Sequence, residues 1–320
     1  MSDQALAQYE ALTHGCGFAR LDGWSVLEFS GDDRKSFLHS FCTADIKGLD
    51  DGNVTEAFIL DGKGKALGHV HVIAIQDRLL LAGHSDQGVA LFEHLDRYII
   101  REKVVIVDRS GDFELMLIAG AKASDVNQVV LQADVSFGQA LEVCQDAASV
   151  VVVHTEVAGP AFLYLVPKDS AEVFSARFKE NAVECSPAVL EAVRLEHATP
   201  WYGIEIDNTN LPQELERDDK AISFTKGCYL GQETVARIDS LGRVNKLLRI
   251  VEGNVSDGVE VARGDLVING DKEVGRVLAC ARVPGRNVSL ASVMLKRAST
   301  KVGQALQAGE VSVVVVSPKV

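Results

Sequence analysis

Apolar and polar positions change period several times along the first hundred residues. AFIL (57–60) is a short apolar run, and HVHVIAI (69–75) alternates as a half-buried strand should. RLLLAG (78–83) adds another strand after it, and the turn DGKGK (61–65) joins AFIL to the alternating run. Two stretches switch to helical spacing. In GDDRKSFLHSF, Phe37, Leu38 and Phe41 share one face, and Asp32 and Asp33 suit a helix N-terminus. Over Asp86–Ile100, Val89, Phe92, Leu95 and Ile99 recur every three to four residues. A helix from Ser2 to Thr13 and strands at Phe18–Leu21, Trp24–Phe29 and VVIVD (104–108) complete the unit. The order is that of a split βαβ, ferredoxin-like arrangement.

A similar order recurs further on. FELMLIAG, SVVVVHTEV and AFLYLVP read as strands, while Ser124–Leu131, Ala171–Lys179 and Ala188–His197 read as helices. WYGIEIDNTNLPQELERDDKAISFT (201–225) follows, irregular and largely polar, but with Trp201, Tyr202, Ile204, Ile206 and Leu211 to anchor it. A loop this long inside a compact chain suits a functional segment. Beyond Arg243, short β runs separated by Gly, Asn, Asp or Pro predict a small barrel or sandwich. The expected fold is therefore α+β: an α/β domain over 1–110, a second over 111–242 and a β-barrel over 243–320.

Composition narrows the partners. Net charge is −13 in 320 residues, which opposes phosphate backbones and anionic lipid. No apolar run approaches the roughly 20 residues of a membrane span, and the N-terminus lacks signal-peptide blocks, so a cytoplasmic location is expected. Six cysteines are scattered without a CxxC pair, which fits neither a disulfide framework nor a metal site.

The chemistry concentrates in KGCYLGQE (226–233), followed by TVAR to Arg237. Lys226 and a helix over Gly231–Ile238 would both favour the thiolate of Cys228. Gln232 and Glu233 offer hydrogen bonds to the edge of a heterocycle, and Arg237 shares a helix face with Glu233. Read alone, the same residues also suit a glycine-rich turn with a buried cysteine and a surface ion pair.

KGCYLGQE with its trailing Arg resembles the signature of the YgfZ family of folate-binding proteins, relatives of the glycine-cleavage T-protein. RLEHATPWYGIEIDNTNLPQE resembles a second family segment through Arg194, Glu196, Pro200, Gly203, Pro212 and Glu214, with the usual glycine replaced by Ala198 or lying out of register. FSGDDRKSFLHSFCTADI resembles a third through Gly31, Asp33, Phe37, Leu38, Thr43 and Asp45. The resemblance implies three domains around a central cavity for tetrahydrofolate or a one-carbon derivative. It implies that Glu196 reads the pterin ring, with Tyr202, Gln232, Glu233, Arg237 and Arg243 as further binding residues. Cys228 and Lys226 would carry any chemistry, without a metal. It implies a factor for maturation or repair of iron–sulfur proteins, with those proteins as partners, while the net charge argues for no nucleic acid or membrane partner. The alternative is a T-protein-type aminomethyltransferase. T-proteins carry adjacent aspartates where this chain has Gly68 and His69, which weighs against that reaction.

Overall fold

The computed structural model describes residues 3–85, 87–145, 148–255 and 259–319, with Leu241 described by its backbone alone. The expected helix starts at Ser2 and Asp86 lie outside the described residues. The elements begin with α1 (Asp3–Thr13), β1 (Gly17–Leu21), β2 (Trp24–Ser30), α2 (Arg34–His39), β3 (Val54–Leu60), β4 (Ala66–Ile75) and β5 (Arg78–His84). They continue with α3 (Gln87–Asp96), β6 (Val105–Asp108), β7 (Phe113–Ala119), α4 (Ala123–Leu131), β8 (Ala140–Gln145), β9 (Ala148–Glu156) and β10 (Pro160–Pro167). Next come α5 (Ala171–Asn181), β11 (Val183–Glu184), α6 (Pro187–Glu196), α7 (Asp218–Ala221) and α8 (Gln232–Leu241). The last are β12 (Lys246–Asn254), β13 (Leu266–Asn269), β14 (Lys272–Arg282), β15 (Val288–Lys296), β16 (Ala305–Ala308) and β17 (Val311–Val316).

The fold is α+β with a closed barrel, as expected. The first sheet has the order β3-β4-β5-β2-β6, and every pairing in it is antiparallel. The second has the order β11-β1-β7-β10-β9-β8. Strand alternation gives each sheet two apolar faces. Leu27, Phe29, Val70, Val72, Leu79 and Leu81 pack outward under α2 and α3. Phe18, Ile118, Val150, Val152 and Phe162 do the same under α4 and α5, and Phe174 packs onto them from α5. The opposite faces meet: Val26, Ile73 and Leu80 join Leu115, Leu117 and Leu163 in one core, which Ile250 and Leu290 extend into the barrel.

Three features depart from the linear reading. The division at residue 110 is crossed, because β1 pairs antiparallel with β7 and parallel with β11 in the second sheet. The same division is crossed a second time: Thr43, fully buried, hydrogen-bonds to Ala221 O, and Ser223 N donates to Thr43 O, fastening the late loop onto the first sheet. Barrel closure needs a sixth strand, β16, built from the weak strand formers ALQA.

Candidate functional site

The KGC segment leaves its loop over α2 and the β3–β4 turn. Lys226 is buried, and its ammonium donates to His39 O, Cys42 O and Ala44 O at 2.6, 2.8 and 2.7 Å. Those carbonyls sit at and just beyond the C-terminus of α2, where a cation is favoured. All three ammonium protons are therefore committed to backbone, and burial lowers the Lys226 pKa. Cys228 is exposed at the surface two residues on. The expected pairing of lysine and thiolate is not formed: the lysine points inward as an anchor while the thiol faces solvent.

Gly231 starts α8 with φ +82°, and a Cβ there would stand 2.6 Å from Asp61 O. Gly64, with φ +78°, faces it, and its Cβ would lie 2.7 Å from the Thr234 Cβ. The two glycine-rich turns thus interlock by backbone approach that no side chain permits. Gln232 is half-buried, while Glu233, Arg237 and Arg243 are exposed.

A different place encloses ionisable groups. A cleft of about 380 Å³ lies between the α6 C-terminus, the loop before α7 and the barrel. Its apolar walls include Leu215, Leu248, Ile250 and Val316, and its charged lining includes Glu156, Arg217, Lys220, Arg249 and Lys319. Behind it runs a ladder of charges. Arg217 donates through Nε and Nη2 to both oxygens of buried Glu56, the first at 3.0 Å, and through Nη1 to Glu156 Oε2 at 3.0 Å. The Lys220 ammonium sits 2.6 Å from each oxygen of Glu156. His69 Nε2 lies 3.2 Å from Glu56 Oε2, and His71 Nε2 lies 2.9 Å from the Glu156 carbonyl. Burial alone would raise the Glu56 pKa, but His69 and Arg217 overcome it and hold the carboxyl well below its usual range. Burial holds His71 low, and hence neutral.

Glu156 also lines a small aromatic pocket with Trp24, His69, His71, His84, Trp201 and Tyr202, so the ladder separates two hollows. Trp201 stacks on His84 with centroids 4.6 Å apart and donates Nε1–H to Val157 O. Tyr202 is half-buried there, its carbonyl bonded to His84 Nδ1. Non-glycine residues with left-handed backbones also cluster at the cleft. Ala198 (φ +49°) and Glu216 (φ +54°) both line it. Such strain collects at functional sites. Ala198, which the resemblance sets against a family glycine, holds a left-handed backbone that glycine adopts most readily.

Of the binding residues expected from the resemblance, Tyr202 lines the aromatic pocket. Glu196, at the end of α6, is turned away and sealed. Tyr9 Oη donates to its oxygens at 2.7 and 2.8 Å, Lys319 Nζ lies at 2.7 Å, and the carboxylate is 2% exposed. Arg194, 1% exposed, holds Glu205 bidentately at 2.8 Å, and Ser292 Oγ donates to the same carboxylate, tying loop to barrel. Cys228, Lys226, Gln232, Glu233, Arg237 and Arg243 do not line the cleft. The sequence reading missed Glu56, Glu156, Arg217 and Lys220. Only the isolated acids within otherwise apolar strands, TEAFIL and VVVVHTE, signalled Glu56 and Glu156.

A model of the GCVT N-terminal domain matches residues 1–224. The tRNA-modifying protein YgfZ of Klebsiella pneumoniae is 28% identical over 278 residues, covering 86% of this chain and 84% of its own. That of Vibrio atlanticus is 26% identical over 245 residues, covering 73% and 69%. A putative chloroplastic transferase of Arabidopsis thaliana, At1g60990, is 23% identical over 314 residues, covering 96% and 71%. Among solved structures, the glycine cleavage system aminomethyltransferase T from Bartonella henselae superposes with a TM-score of 0.85 at 14% identity, covering 98% of this chain and 88% of that one. That likeness establishes the fold.

Proposed function

The chain belongs to the GCVT N-terminal domain family, and from that membership and the cleft we propose that it binds a reduced folate, tetrahydrofolate or a one-carbon derivative, as a YgfZ-type factor. The observation that carries this reading is the enclosed acid Glu156 in a cleft with apolar walls and cationic margins. About 380 Å³ lies within the range of small-molecule sites. Its apolar walls suit a flat ring, a carboxylate suits the ring's N–H edge, and Arg249 and Lys319 suit an anionic tail. The sealed geometry of Glu196 moves the ring-reading role, in our reading, to Glu156.

Bound folate would supply one-carbon chemistry, and the chain supplies little to drive it. The positions of the T-protein aspartates carry Gly68 and His69, and His69 is tied to Glu56. The aminomethyltransferase alternative is therefore the weaker reading. Cys228 lies outside the cleft, so its thiol would meet a partner protein rather than the folate; we assign that partner to the iron–sulfur proteins of a cytoplasmic maturation or repair route. The bacterial relatives are named for tRNA modification. With a net charge of −13, this chain would serve such a process through a protein partner rather than by gripping RNA.

Calorimetry with tetrahydrofolate tests the binding. One specific site, lost in Glu156→Gln, supports the reading; no heat and no protection against unfolding would refute it. Cys228→Ala should keep folate binding while lowering iron–sulfur enzyme activities in cells. Unchanged activities would remove the thiol's role.

A further inference from the structure

Lys220 makes a contact unlike the other cations of the cleft. Its ammonium spans the outer face of the Glu156 carboxylate, 2.6 Å from both oxygens, which is where a ligand presenting two N–H groups would have to sit. Arg217 approaches only Oε2 and is itself buried, fixed to Glu56 on its far side. Lys220 has no such second tether: its side chain is 48% exposed, and it ends on a four-residue helix. One partner of Glu156 is built in, and the other is free to leave.

We propose that Lys220 is a placeholder, an internal ammonium that occupies the ligand-reading face of Glu156 and is displaced by the paired N–H donors of an amidine-like heterocycle edge. The proposal rests on the folate reading for the identity of that heterocycle, though its logic needs only a ligand with two adjacent donors. Displacement exchanges one charge-assisted contact for another, so the half-buried Glu156 is never left unpaired. Arg217 keeps the carboxylate ionised throughout, and the freed ammonium swings into solvent, where a lysine is readily hydrated. Empty, the cleft is thus self-satisfied. Selectivity follows from the same geometry, because a ring with a single donor cannot replace both contacts of the ammonium.

The test compares tetrahydrofolate and 6-hydroxymethylpterin binding to the full chain, to Lys220→Met and to Glu156→Gln by calorimetry. Removing the competing ammonium should tighten both ligands about 2- to 5-fold in Lys220→Met, an exposed ion pair's worth. Glu156→Gln should lose binding of both. A second readout follows the lysine itself: acylation of Lys220, read by mass spectrometry, should rise when tetrahydrofolate is added to the unsubstituted protein. Weaker or unchanged binding in Lys220→Met, or Lys220 protected by ligand, would overturn the placeholder while leaving folate binding intact. Absence of binding to the unsubstituted protein would instead overturn the folate reading and, with it, this inference.

Discussion

The KGC loop and the cleft divide the molecule's chemistry in opposite ways. The loop is dense in able side chains along the sequence, yet the fold scatters them: Lys226 inward, Cys228 outward, Gln232 and Glu233 onto a separate helix. The cleft draws on residues 56, 69, 156, 217 and 220, distant in the chain, and locks them into one ladder. Proximity in sequence supplies a surface motif; proximity in space, from three segments, supplies an enclosed charge network. Partner recognition needs only the first, whereas reading a small ligand needs the second.

The comparison is broken most severely at Arg217. Arg217→Ala leaves Glu56 buried without its guanidinium and Glu156 with Lys220 alone, and should cost about 3–5 kcal/mol. Urea unfolding should show it as a large drop in midpoint, partly restored by Arg217→Lys. The pH dependence has a definite sign. The Glu56 pKa is depressed in the folded chain, so its contribution is present above the unfolded value near 4.5 and lost as pH falls below it. Arg217→Ala should flatten that acid limb. A loss below 1 kcal/mol would mean that the ladder is not a structural unit.

The loop comes next. Lys226→Met removes three hydrogen bonds from carbonyls beyond α2 and should destabilise by about 2–4 kcal/mol. Cys228→Ala, two residues away, should change stability by less than about 0.5 kcal/mol, since the residue is exposed at the surface. Equal effects from the two substitutions would contradict the inward and outward division of the motif. Gly64→Ala should cost about 2 kcal/mol, because its Cβ would meet Thr234 at 2.7 Å with the backbone already left-handed. Unfolding curves of the three variants under one set of conditions check the order.

Much of the fold was legible because alternation and helical spacing report burial directly. All five β runs anticipated after Arg243 became strands, and the helices over 123–131, 171–181 and 187–196 lie within a residue or two of expectation. β8 and β16 escaped because neither carries an apolar alternation: β8 is an edge strand with few buried positions, and β16 is ALQA. Sheet membership escaped too, since period says nothing of which strand β1 pairs with. The motif was visible in the sequence and its arrangement was not, because the ammonium of Lys226 finds carbonyls nearly 190 residues earlier. Glu56 and Glu156 were legible only as anomalies, acids within apolar strands whose shared partner Arg217 lies in a loop that no periodicity describes.

The last effect concerns the junction of the two regions and depends on pH. Asp218 follows Arg217 and opens α7, and one of its oxygens is buried without a hydrogen-bond partner. Burial, then the nearby charges of Asp219, Glu216 and Asp239, push its pKa up to about 6. A carboxyl raised in the folded chain favours folding only while protonated, so the protein loses stability as pH rises from the unfolded value near 3.8 through about 6. Asp218→Asn should therefore stabilise at pH 7.5 by about 1–2 kcal/mol, the full shift being discounted for the residue's partial exposure. The gain should vanish by about pH 4, where the carboxyl is neutral in the folded state. Thermal melts at the two pH values read it directly. A gain at pH 7.5 that persists at pH 4 would locate the cost in packing rather than charge. A gain confined to high pH would show that the segment carrying Arg217 and Lys220 is held under electrostatic tension.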